Sequence, residues 1–189
     1  MDAIWRFDNQ IFRAIDLGWR QAWLDPIFWA LSYSGLGQVQ AIALLSLLFF
    51  EKAKRFVLPL LVAESVAGFI FCDITKVLVP RDRPSNLFYA IHQEDLFGKS
   101  FPSGHTSSSF GIAFMLLYMT RKTPHAWVGW LAIMWAAAVG LSRIYRGVHW
   151  PTDVLAGICM GLAGASTTYF LFNYFDWWRK EEPAIQTQS

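Results

Sequence analysis

The chain has 189 residues, 54% of them hydrophobic and only 16% charged, with a net charge of +2. A soluble domain carries about 25% charged residues, so this composition excludes a water-soluble globule and fits an integral membrane protein. The small net charge, with basic residues scattered at apolar boundaries, excludes nucleic acid as a partner, and the length is that of one domain.

Residues 1–30 read as an N-terminal amphipathic segment. Trp5, Phe7, Ile11, Phe12 and Ile15 alternate with charges at roughly helical spacing. That pattern fits a helix lying in the membrane interface, or equally one packed on the rest of the protein. Asp2, Arg6, Asp8, Arg13, Asp16 and Arg20 leave no apolar core for a cleavable signal peptide.

Downstream, five stretches qualify as, or approach, the roughly 20 apolar residues that cross a bilayer. They are Leu31–Phe50, Phe56–Val79, Ser103–Tyr118, Ala126–Leu141 and Val154–Phe172. The third and fourth are short and are expected to extend into their flanks. Ile27–Leu36, interrupted by Ser32, Ser34 and Gly35, is a candidate partial span. The expected fold is all-α: a polytopic transmembrane helical bundle of five to six membrane helices plus the N-terminal amphipathic helix. Its membrane domain covers 31–178, and a polar cytoplasmic tail, disordered over Glu181–Ser189, covers 179–189. Cys72 and Cys159 fall inside apolar stretches and read as packed thiols.

Lys52, Lys54 and Arg55, then Arg121 and Lys122, then Arg179 and Lys180 follow alternate stretches. They put one side in the cytoplasm. The opposite side also carries cations, Arg81, Arg83, Arg143 and Arg146, against that rule. Charge at a membrane boundary is costly and marks function when it persists.

Three groups of residues at span ends carry the chemistry. Lys76, Arg83 and Arg143 form a candidate anion clamp, Lys as a point charge and Arg as a planar fork for phosphate oxygens. Snorkelling to the interface, or an ion pair of Lys76 with Asp73, is the plainer reading. Arg81 and Arg146 are expected to be interface charges only. Pro102-Ser103-Gly104-His105 opens the third span. Ser103 is a good N-cap, Gly104 admits a ligand to the backbone, and helix-start N–H groups bind phosphate. His105 there opposes the helix dipole, a placement that favours chemistry over structure. In His149-Trp150-Pro151-Thr152-Asp153 the carboxylate sits four residues after the imidazole. It can accept one ring N–H and leave the other nitrogen free; stabilising the helix start is the plainer role for Asp153.

Gly157 and Gly161 are assigned to helix packing. His92 and His125 lie in loops without partners, and Glu64 inside the second stretch receives no role. The loop 85–100, with Phe88, Tyr89, Glu94 and Asp95, is expected to roof the site. No Cys/His/Asp cluster has metal-ligand spacing.

Taken together, the three groups resemble the type 2 phosphatidic acid phosphatase superfamily, membrane lipid phosphatases related to the vanadium haloperoxidases. The motifs are Lys76, six residues, Arg83-Pro84; Pro102 to His105; and Ser142-Arg143, five residues, His149, three residues, Asp153. The likeness runs from about Leu36 to Phe172 with unbroken motif spacing, and residues 1–30 and the tail carry none of it. The resemblance implies a metal-independent hydrolase without cofactor. In it His149 attacks phosphorus, Asp153 orients His149, and His105 protonates the leaving oxygen. Lys76, Arg83, Ser103, Gly104 and Arg143 hold the phosphate. The implied substrate is a lipid phosphate held by the bilayer at the outer face of a bacterial inner membrane. A phosphotransferase with an alcohol acceptor, a soluble haloperoxidase-like enzyme and a non-catalytic lipid-binding protein are the competing classes, and the oligomeric state is left open.

Overall fold

The structure, a computed structural model, describes residues 2–91, 93–94 and 98–177, and every regular element among them is helical. Helix α1 spans Asp2–Asp16. Helix α2, Asp25–Ser34, carries Pro26 in its first turn, where a missing N–H costs nothing. Helix α3, Gly37–Ser46, runs on into a tight turn at Leu47–Phe49. Leu36 between α2 and α3 is extended, and the pair is bent by 67°. The stretch Leu31–Phe50 is therefore not one straight helix: it is broken next to Gly35, one of the expected interruptions.

Helix α4, Lys54–Leu78, contains Pro59 and a π-helical segment at Val66–Cys72. Such wide turns recur near functional sites, and this one ends four residues before Lys76. Helices α5, Gly104–Thr120, α6, Ala126–Tyr145, and α7, Pro151–Tyr174, follow. The fourth stretch extends to Tyr145 as expected, whereas the third gains only Met119 and Thr120 and stays short at 17 residues. By length and apolarity α4, α6 and α7 can each cross a membrane, and the bent α2–α3 pair makes a fourth candidate.

Helix α5 is central and packs against α4, α6 and α7. Glycine makes the α5–α7 approach possible. A Cβ on Gly157 would stand 2.8 Å from Thr106 Cβ and 2.9 Å from the Ser103 carbonyl oxygen. Gly161 and Gly164 continue the same face at helical spacing, so close helix packing is their structural role. Cys159, two residues from Gly157, points the other way and is exposed. The packed-thiol expectation thus holds for Cys72 and fails for Cys159.

One core cluster joins Phe12 and Ile15 of α1 to Phe28, Tyr145, Trp150 and Val154. A second, toward the other end, joins Leu44, Leu60, Ile112, Met115 and Ala165. Helix α1 is packed through one face while Ile4, Trp5 and Phe7 stay exposed. It is therefore packed on the rest of the protein, the second of the two readings, with an apolar edge left uncovered. His92, Asp95 and the segment 178–189, with its proposed tail, lie outside the described residues.

Candidate active site

The end of α6 and the starts of α5 and α7 converge. The Ser103 N–H donates to the Asp153 carbonyl oxygen at 3.0 Å, tying the two helix starts together. Ser103 caps α5: its Oγ accepts from Thr106 Oγ1 at 2.9 Å and, more weakly, from the Thr106 N–H at 3.4 Å. Pro151 opens α7, and the Asp153 side chain reaches back to the Trp150 N–H at 2.9 Å, closing the first turn. The dipole-side role of Asp153 is real, and it leaves its carboxylate facing His149.

His149 is buried between a carboxylate and a guanidinium. Its Nδ1 stands 3.4 Å from Asp153 Oδ2, and its Nε2 stands 3.2 Å from Arg83 Nη1. The first distance is too long for a formed hydrogen bond, and Nδ1 has no other partner among the described residues. Guanidinium only donates, so Nε2 must offer its lone pair and Nδ1 must carry the proton. Burial pushes His149 down to about 4; Asp153 acts upward, and Arg143 and Arg83 act with the burial. Arg83 is held by three carbonyls, Val148 at 3.0 Å, Lys99 at 3.1 Å and Gly98 at 3.2 Å.

Two cations assigned to the interface are instead built into the site. Arg81 Nη1 donates to Asp153 Oδ1 at 2.8 Å and to Thr152 Oγ1 at 2.7 Å, and its Nη2 donates to Asp8. Asp8 also accepts from the Thr152 N–H at 2.8 Å and the Thr152 hydroxyl at 2.6 Å. A fully buried acid of α1 thereby buttresses the carboxylate beside His149. Arg146 is buried and donates to Glu94.

Arg143 is fully buried, and its forked face is taken by Glu94. Nη1 and Nη2 each donate to one Glu94 oxygen at 2.9 Å, and Ser32 Oγ donates to the same carboxylate at 3.0 Å. Burial alone would raise the Glu94 carboxyl; Arg143 and Arg146 overcome it and hold it at about 2. Arg143 Nε is buried without a partner among the described residues. Lys76 pairs loosely with Asp73 at 3.6 Å, and a Cβ on Gly104 would come within 3.5 Å of its Nζ.

His105 lies in electrostatic reach of Arg143, His149 and Lys76. It lines two cavities, about 150 Å³ beside Ser32, Glu94 and Arg146, and about 260 Å³ beside Glu64, Lys76 and Gly104. The structure thus gathers Lys76, Arg83, Ser103, Gly104, His105, Arg143, His149 and Asp153 at one end of the bundle. Sequence reasoning missed Asp8, Arg81 and Arg146. Asp8 was findable: it sits four residues before Phe12 and seven before Ile15, an acid on the apolar stripe of α1.

The PAP2 superfamily pattern matches residues 41–177. The chain is 28% identical over 157 residues to a lipid A 4′-phosphatase of Bacteroides thetaiotaomicron, covering 79% of this chain and 67% of that one. It is 30% identical over 158 residues to an undecaprenyl-diphosphatase of Sulfolobus acidocaldarius, covering 82% and 73%. A crystal structure of a transmembrane PAP2-type phosphatidylglycerolphosphate phosphatase from Bacillus subtilis superposes with a TM-score of 0.71 at 25% identity, over 97% of this chain and 90% of that one. The fold and these matches define a multi-pass membrane phosphatase. The chain belongs to the PAP2 superfamily.

Proposed function

We propose that the chain hydrolyses a lipid phosphate or diphosphate through a phosphohistidine. His149 Nε2 attacks phosphorus as the bond to the lipid oxygen breaks, and His105, protonated, gives that oxygen its proton. Water then attacks the phosphorus, His105 takes the water's proton, and the N–P bond breaks to return the electron pair to Nε2. Asp153 orients His149 and draws closer to Nδ1–H as positive charge develops on the ring. Lys76, Arg83 and Arg143, with the backbone N–H groups at Gly104 and the Ser103 cap, hold the three equatorial oxygens. Glu94 must leave Arg143 for the phosphate to enter, since one guanidinium fork serves one bidentate anion.

The observation that carries this reading is the placement of His149, with Nε2 3.2 Å from Arg83 Nη1 and Nδ1 3.4 Å from Asp153 Oδ2. Five to six membrane helices, with the site at the outer face of a bacterial inner membrane, complete the proposal. Undecaprenyl diphosphate, phosphatidylglycerophosphate, phosphatidic acid and lipid A phosphate are the substrate classes. The test is phosphate release from these lipids in detergent with EDTA present. The account expects release from at least one lipid, and none from His149→Ala despite an unchanged melting profile. Full activity in that variant overturns the proposal, as does activity lost on chelation.

A further inference from the structure

Glu64 lies inside α4, a candidate membrane span, is 3% exposed, and makes no hydrogen bond or ion pair among the described residues. A buried carboxyl without a partner is costly, and within a membrane span it marks a functional site. Glu64 is aimed at the turn between α2 and α3, where a Cβ on Gly37 would stand 3.3 Å from its Oε1. It lines the cavity of about 260 Å³ that also holds Gln38, Lys76, Gly104, His105 and Ser108. His105 forms part of that wall, so whatever occupies the cavity is next to the proposed proton donor.

We propose that this cavity is a subsite for a hydroxyl-bearing leaving group, a polyol or sugar, with Glu64 hydrogen-bonding its hydroxyls. The proposal rests on the phosphatase reading and deepens it. Three features select hydroxyls. The cavity is below the size of common drug-sized sites, which suits a polar head rather than acyl chains. Gln38 and Ser108 add neutral hydrogen-bonding groups on the same wall. Lys76 and Asp73 in that wall pair with each other at 3.6 Å, adding a donor and an acceptor but no net charge. A site built to hydrogen-bond a hydroxyl discriminates strongly against substrates lacking it, because its buried polar groups are then left unpaired.

The experiment compares the full-length wild type with Glu64→Gln and Glu64→Leu, in detergent, on two kinds of lipid. Phosphatidylglycerophosphate and a lipid A phosphate leave as hydroxyl-bearing alcohols. Phosphatidic acid and a prenyl diphosphate leave without a hydroxyl in reach of the cavity. The subsite predicts that Glu64→Leu lowers kcat/KM for the first kind by about 10-fold or more, the worth of one buried hydrogen bond to a charged group. It predicts a change under about 3-fold for the second kind, and Glu64→Gln, which keeps an acceptor and a donor, recovers most of the loss. An equal loss on both kinds, or no loss on either, overturns the subsite while leaving the phosphatase reading intact. A preference for ethanolamine-bearing substrates that Glu64→Gln abolishes also overturns it. If the wild type releases phosphate from no lipid, the phosphatase reading has failed and the subsite falls with it.

Discussion

His149 has its proton position dictated by its neighbours. Arg83 cannot accept, so the lone pair is on Nε2, and the carboxylate lies at Nδ1. Because burial lowers His149 to about 4, the imidazole is neutral across the ordinary pH range. The acidic limb of kcat/KM, which reports the free enzyme, is therefore expected near pH 4. A limb at the ordinary histidine value of about 6.5 would contradict this. The same shift bears on stability. The unfolded chain binds the proton at higher pH than the folded one, so this contribution is lost as pH falls from about 6.5 to about 4. Glu94 gives a second test at this scale. Its carboxylate occupies Arg143 and Arg146, so Glu94→Gln frees the clamp for anions. Competitive inhibition by orthophosphate should tighten by about 10-fold, the order expected when one charge-assisted competitor is weakened. An unchanged inhibition constant would show that phosphate binds elsewhere.

At the scale of elements, α1 is part of the site. Sequence periodicity identified it as an amphipathic helix, and its buried face is explained by Phe12 and Ile15. What the pattern did not reveal is that Asp8 on that face meets Arg81, because the pairing depends on how α1 lies across the start of α7. Asp8→Ala leaves Arg81 Nη2 and the Thr152 N–H without their partner. A loss of about 2–3 kcal/mol in stability follows from one charged hydrogen bond removed, read as a lower melting temperature. The kcat should fall by about 10-fold with KM held, since the positioning of Asp153 and not substrate contact is weakened. An unchanged kcat would make α1 structural only. The break between α2 and α3 was legible at Gly35, whereas the π-helical segment of α4 was not. Nothing in Val66–Cys72 departs from an ordinary apolar span, and a π turn is set by packing against neighbours.

For the whole molecule, composition settled the class, and the three motifs settled which helix ends meet. The motif residues were readable because each chemistry needs a fixed residue type at a fixed spacing. Glu94, Ser32 and Asp8 were not readable as partners, since their contacts join segments 49 to 144 residues apart. Phe49, Phe50, Trp127, Trp130, Tyr174 and Phe175 are exposed at the end opposite the site, an aromatic belt beside Lys52, Arg121 and Lys122. That end should face the cytoplasm. A green fluorescent protein fused at the C-terminus should fluoresce in cells, and an alkaline phosphatase fused there should be inactive. The reverse pattern would invert the proposed orientation.

The most direct test is to mix the enzyme with a radiolabelled lipid phosphate, quench within one turnover in alkali and map the labelled residue. The account predicts an acid-labile phosphoramidate on His149 that is absent from His149→Ala. A label on another residue, or steady turnover with no label on His149 at any quench time, would contradict it.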